Sequence, residues 1–212
     1  MIKSKSLYGI LIGILCLLAI TSFSQEETLF IKSEELKMFD DRTEFYKNSQ
    51  ISKGDLFLQG DVFTIFREEG QEKQIVAHEG IYLEFETGKA TSLTLDYDLM
   101  DKKGRMTGNV QAVISTSQST QVIEINCDIL DIDNSAGLFT GKMDSQDSRV
   151  NLVKGNMKAN SQSFDYFETE DILILYGDVY VDDDDNQREV TGDLIRITMA
   201  DDSIEGQGVS IK

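Results

Sequence analysis

GNMKANSQSFDYFETEDILILYGDVYV, the stretch from Gly155 to Val181, decides how the rest of the chain is read. It opens on Gly155-Asn156-Met157 and closes on Gly177-Asp178-Val179-Tyr180-Val181. Phe164 and Tyr166 alternate with polar residues, Glu168 to Asp171 form an acidic turn, and Ile172 to Tyr176 are rich in β-formers. Two extended runs joined by an acidic turn predict a hairpin. Glycine, then Asp or Asn, then Val or Met returns at Gly60-Asp61-Val62 and Gly108-Asn109-Val110, with looser forms at Gly141-Lys142-Met143 and Gly208-Val209. The intervals are irregular, which predicts a degenerate strand repeat with hairpin loops of variable length. One hairpin cannot bury its apolar face alone, so stacked hairpins must share an interior. Glycine at a recurring place predicts a bulge or corner where the sheet folds over.

The same pattern extends outward from this stretch. Leu56 to Phe66, Ile75 to Ala77, Gly80 to Gly88, Val110 to Ile114 and Leu194 to Met199 read as strands, with turns at Thr87-Gly88-Lys89, Asp101 to Gly104 and Asn134 to Gly137. Residues 25–53 read as an opening strand pair, and Asp182 to Asn186 as a hairpin tip. After Ile123 to Ile129 the apolar phase slips to Leu130 and Ile132, as one inserted residue would cause. Strands recur about every ten residues, and beyond the N-terminal segment no window keeps a helical period. The fold class is therefore all-β, a sandwich, barrel or solenoid built as a folded-sheet repeat over residues 25–212, preceded by a leader.

Alternation assigns directions. Ile81, Leu83 and Phe85 are predicted to point inward, as are Leu93, Leu95, Tyr97 and Leu99. The same holds for Ile123 and Ile125, for Phe164 and Tyr166, and for Ile195 and Ile197. In the opening stretch Ile172, Ile174 and Tyr176 are assigned inward and Leu173 and Leu175 outward or toward a neighbour, although both sets are apolar. These inward residues fill a closed core in a sandwich and line a groove in an open-sided shell.

The chain has 212 residues and a formal charge of −18. Lys3 and Lys5 precede an apolar run from Leu7 to Ile20, and Ser22-Phe23-Ser24 has small residues where a signal peptidase cuts. This predicts a signal peptide over residues 1–24 with a mature start at Gln25. The alternative is an uncleaved anchor, since Leu7 to Phe23 approaches the length of a membrane span. Either way the remainder lies outside the cytoplasm. Loss of the leader removes two lysines and no acid, leaving a mature charge of −20. That charge argues against nucleic acid and against anionic membrane surfaces as partners. Of the two cysteines, Cys16 lies in the leader and Cys127 lies among isoleucines at two-residue spacing, where it reads as a small buried hydrophobe.

Nothing resembles an active site. The single histidine, His78, and its neighbour Glu79 fall on opposite strand faces. No nucleophile elbow, phosphate loop or metal-ligand spacing occurs. The Asp182–Asp185 run lacks the alternate ligands and sharp-turn glycine of a calcium loop. No catalytic residue, metal ligand or cofactor is assigned, and the chain is not read as an enzyme.

Three segments carry a family likeness: Asn126-Cys127-Asp128-Ile129-Leu130-Asp131-Ile132, Leu173-Ile174-Leu175-Tyr176-Gly177-Asp178-Val179 and Thr191-Gly192-Asp193-Leu194-Ile195-Arg196-Ile197. They resemble repeats of the LptA/OstA-like family over residues 54–212, best over 122–212. The resemblance implies a β-jellyroll folded like a V or half-open shell. It also implies carriage of the acyl chains of lipopolysaccharide or a related glycolipid across the periplasm to the outer membrane. The sixteen inward residues would then line the lipid groove. Copies of the protein, or other bridge proteins, would stack by adding strands at open edges. The alternatives are an inner-membrane-anchored LptC-like component of the same pathway and a structural β-solenoid with a solid core. In the periplasmic reading the signal is cleaved near Ser24.

Overall fold

The computed structural model describes residues 28–116, 121–145 and 147–211. The predicted leader and the start at Gln25 lie outside these residues. The N-terminal part forms β1 (Phe30–Lys32), β2 (Glu35–Met38), β3 (Arg42–Lys53), β4 (Leu56–Glu68), β5 (Gln71–Phe85) and β6 (Gly88–Asp98). The middle forms β7 (Lys103–Ser115), β8 (Val122–Asp133), β9 (Leu138–Lys142), β10 (Val150–Lys154), β11 (Met157–Ser161) and β12 (Ser163–Phe167). The chain ends in β13 (Ile172–Asp183), β14 (Arg188–Thr198), β15 (Ser203–Gln207) and β16 (Ser210–Ile211). All belong to one 16-stranded sheet. Every pairing between them is antiparallel. The segment expected to be an opening strand pair is β1 to β3, and Ser33 to Phe39 resolves into β2.

One line crosses this sheet and bends every long strand in the middle. On β3, β5, β7 and β13 the line is marked by two consecutive residues with positive φ: Lys47-Asn48, Glu79-Gly80, Gly108-Asn109 and Gly177-Asp178. The neighbouring strand supplies one residue fewer. Tyr46 pairs with Val62 and Ser49 with Gly60, while Thr107 pairs with Ile129 and Val110 with Cys127. Tyr176 pairs with Leu194 and Val179 with Gly192. Two residues facing one are a bulge, and a bulge bends its strand. Each left-handed pair contains Gly, Asn or Asp, the residues that tolerate this backbone.

The line also sets which residues point inward. Where the left-handed pair sits, inward positions are four apart and keep phase: Phe45 to Ser49, Ala77 to Ile81, Met106 to Val110, Leu175 to Val179. On each following strand they are three apart and the phase slips: Gly60 to Phe63, Ser92 to Leu95, Cys127 to Leu130, Gly192 to Ile195. The slip read from the sequence at Leu130 is one of these four. The repeat is therefore a hairpin whose first strand keeps phase and whose second slips.

Bending at the line divides the sheet into two arms. Arm one holds residues 49–53, 56–60, 81–85, 88–92, 110–115, 122–127, 179–183 and 188–192 with β10 and β11, and has β1 and β16 at its edges. Arm two holds the complementary strand halves with β9 and β12, and has β2 and β15 at its edges. The division is plainest at β8, whose first half pairs with β10 and whose second half pairs with β9. The inner faces of both arms form one apolar cluster. Phe85 of arm one stacks on Phe139 of arm two, with ring centroids 5.5 Å apart.

Two sequence expectations about the repeat change. Gly155-Asn156 is not on the fold line. It is the tight turn between β10 and β11, closed by the Lys154–Met157 pair, with Gly155 at φ 56°. Gly60 has no positive φ; a Cβ there would stand 3.1 Å from Ile81, so this glycine provides space for packing.

Candidate functional site

The interior between the arms is the candidate site, and cross-strand register decides who faces it. Residues directly opposite in an antiparallel pair share a face. Phe164 lies opposite Leu175 and Tyr166 opposite Leu173, and on the other side Leu175 lies opposite Ile195 and Leu173 opposite Ile197. Leu173 and Leu175 are accordingly buried with Phe164, Tyr166, Ile195 and Ile197. This corrects the direction assigned to β13. Ile172, Ile174 and Tyr176 stand on the outer face, half-buried, opposite Thr198, Arg196 and Leu194. Tyr176 donates there to Asp165 at 3.0 Å.

Leu93 is the second correction. It is 52% exposed, whereas Leu95, Tyr97 and Leu99 are buried. The phase slip after Ser92 turns Leu93 outward, where it covers Gly108 at the fold line; a Cβ on Gly108 would stand 2.8 Å from it. Ile81, Leu83, Phe85, Ile123 and Ile125 are buried in the interior as assigned. Sequence reasoning missed Met106, Phe139, Val150 and Val190, each at 0% exposure. Phe139 had a legible signal, because it alternates with Gly141, which lies opposite Phe164.

The interior is lined almost wholly by apolar side chains. Cys127 sits in it among Ile125, Leu130 and Val110, and burial pushes its thiol up to about 12. Tyr166 donates to the fully buried Asp171 at 2.8 Å, and burial together with that carboxylate raises the phenol well above its ordinary value. Among the described residues no cluster of metal-ligating side chains occurs.

Opposite the fold line the free rims of the two arms meet in a seam. Toward the C-terminal end the seam is tied. Lys154 of arm one, with its side chain 5% exposed, donates to the Met199 carbonyl and to Asp202 at 2.6 Å. Arg188 of arm one donates to the Asp202 carbonyl at 2.5 Å while holding Asp183. Midway, the Thr87 hydroxyl holds the Glu168 carboxylate across the seam. Nearer the N-terminal end the rims stand apart around a cavity of about 230 Å³.

The apolar interior also reaches both open edges of the sheet. Ile31 lies opposite the buried Ile51, Leu36 opposite Phe45, and Met38 opposite Thr43, so all three are on the inner face. They are nevertheless 38%, 57% and 71% exposed. At the other edge Ile211 lies opposite the fully buried Val190 and is 66% exposed, and Ile204 lies opposite Ile197. An inner face that stays apolar where it is uncovered is unusual for a self-contained domain.

A family model described as LptA/(LptD N-terminal domain) LPS transport protein matches residues 31–133 and again residues 122–203. The two matches overlap in β8, the strand at which the sheet changes partner. Among solved structures the chain is similar to LptH, the LptA-homologous periplasmic component of the conserved lipopolysaccharide transport device from Pseudomonas aeruginosa. Identity is 9%, coverage is 88% of this chain and 95% of that one, and the TM-score is 0.24. No curated protein matches the chain.

Proposed function

This chain belongs to the family of LptA and the LptD N-terminal domain, lipopolysaccharide transport proteins, and from that premise we propose that it is a periplasmic bridge segment. It shields acyl chains of lipopolysaccharide or a related glycolipid between its two arms on the way to the outer membrane. The observation that carries this reading is the uncapped interior. Ile31, Leu36 and Met38 at one edge and Ile211 at the other continue the inner apolar face to where the sheet ends. Among the described residues both edges also lack a further strand, so a second copy or another bridge protein adds strands there and extends the interior. Carriage needs no covalent step. Burial of acyl chain supplies about 0.8 kcal/mol per CH₂, and the arms part at the seam with the fold line as the hinge.

The corrected direction of β13 makes the test sharp. A photoreactive residue is placed in cells at Leu175, on the inner face, or at Ile174, on the outer face. A glycolipid adduct at Leu175 and none at Ile174 is expected. No adduct at Leu175 or at Leu95 overturns carriage. Mass spectrometry of the exported protein separates the bridge from a membrane-anchored component: a start at Gln25 belongs to the former, an intact leader to the latter. A monomer at every concentration in ultracentrifugation would contradict stacking.

A further inference from the structure

The seam is tied where Lys154 and Arg188 cross it and open nearer the N-terminal end. Arm one brings Leu56 and Phe85 to the opening, and arm two brings Tyr97 and Leu99; all four are at most 8% exposed and form an apolar floor. From Phe85 an aromatic row runs inward, through Phe139 at 5.5 Å to Tyr166 a further 6.2 Å on. The floor thus leads from solvent into the interior.

The rim of the opening is polar and of both signs. Lys53 stands on arm one and Lys102 on arm two. Neither ammonium group has an ion pair or hydrogen bond among the described residues, whereas adjacent Lys103 is paired with Asp133 at 3.0 Å. Two unpaired ammonium groups across one opening are conspicuous on a chain of charge −18. Asp55 and Glu86 are exposed on the same rim, and Glu168, held by Thr87, closes its far side. A headgroup carrying only negative charge meets the lysines favourably but is repelled by the carboxylates. A headgroup with a phosphate and an amine satisfies both, and charge complementarity of this kind decides specificity more than raw affinity.

We infer that the seam cavity is a side port for a zwitterionic phospholipid-type amphiphile. Its phosphate sits between Lys53 and Lys102, its amine faces Asp55 and Glu86, and one acyl chain lies against Leu56, Phe85 and Leu99. The inference rests on the reading that the interior receives acyl chains, and it adds a headgroup class and a place of entry. Entry by the side differs from passage along the axis between stacked edges.

The protein has no tryptophan, so a single introduced indole reports on one place. Leu99→Trp puts it in the port, and Leu93→Trp puts it on the outer face. The probe is lysophosphatidylethanolamine with a brominated acyl chain, added below its micelle concentration to the full mature chain. Lysophosphatidic acid with the same chain serves as the purely anionic comparison. Lysophosphatidylethanolamine is expected to quench the indole at 99 and not at 93. The pair Lys53→Glu and Lys102→Glu is expected to weaken its binding at least tenfold, and Glu86→Lys to shift preference toward lysophosphatidic acid. Equal quenching at both positions overturns the port, and so does an affinity unchanged by the lysine reversals. Tighter binding of lysophosphatidic acid than of lysophosphatidylethanolamine overturns the headgroup assignment. If Leu99→Trp does not fold, native mass spectrometry of the tryptophan-free chain and its charge variants with the same two lipids measures the same affinities, and the same outcomes support or overturn the port. A glycolipid adduct at Leu175 with no effect of the port variants removes the port and leaves the bridge standing.

Discussion

The ring of Phe164 occupies the space in which a side chain at Gly141 would stand. A Cβ built on Gly141 falls 2.1 Å from Cε1 of that ring, and the two residues are direct cross-strand partners of β9 and β12. Phe164 is fully buried in this position. Gly141→Ala is therefore expected to destabilise the fold by about 1–3 kcal/mol through overpacking. Phe164→Leu in the same chain should recover part of the loss, and a double-mutant cycle in urea measures the coupling.

Lys154 ties the seam with a buried ammonium group. Lys154→Met keeps the aliphatic stem but leaves the Met199 carbonyl and Asp202 without their donor. A loss of about 1–3 kcal/mol is expected. Faster amide exchange at Met199, whose N–H bonds the Asp171 carbonyl at 2.8 Å, checks that the loss is local to the seam.

Glu168 gives the seam a pH dependence. Burial raises its carboxyl above the ordinary value, with Glu86 and Asp171 adding to the shift and the Thr87 hydroxyl opposing it. A carboxyl raised in the folded state binds more protons there than in the unfolded chain, so its stabilising contribution is present at low pH and is lost as pH rises through the folded value. Glu168→Gln, which retains an acceptor for Thr87, is expected to be more stable than the parent at pH 7. The advantage should vanish below the ordinary glutamate range. Thermal melts across that interval measure it.

Cys127 is expected to be inert to iodoacetamide at pH 8 in the folded protein, because its thiol is buried and pushed up to about 12. Reaction should appear only on unfolding, so the alkylation rate reads the opening of β8. Cys127→Ser places a hydroxyl in that apolar site and should cost about 1–3 kcal/mol. Cys127→Ala should keep the fold with a smaller loss.

The fold line explains which sequence signals could be read directly. Gly108-Asn109 and Gly177-Asp178 are visible because glycine leads each pair. Lys47-Asn48 and Glu79-Gly80 bend their strands in the same way with the permissive residue second, so the pattern of glycine followed by Asp or Asn passes over them. Gly155-Asn156 matches the pattern and yet forms a tight hairpin turn in which Gly155 alone is left-handed, so the same two letters do not mark a bulge.

Alternation along each strand by itself determined that the chain is all-β, where most turns fall, and that the apolar residues of β5, β8, β12 and β14 share an interior. Only tertiary structure decided the faces of Leu93 and β13. Ser92 and Leu93 straddle a phase slip whose position depends on the two residues inserted opposite in β5 and β7. In β13 both faces are apolar, so periodicity gives two equal answers. Pairing of Leu173 and Leu175 with Tyr166 and Phe164 on one side and with Ile197 and Ile195 on the other selects one of them. The seam was also beyond the sequence, because Lys53 and Lys102, or Lys154 and Asp202, are far apart along the chain and meet only when the sheet closes on itself.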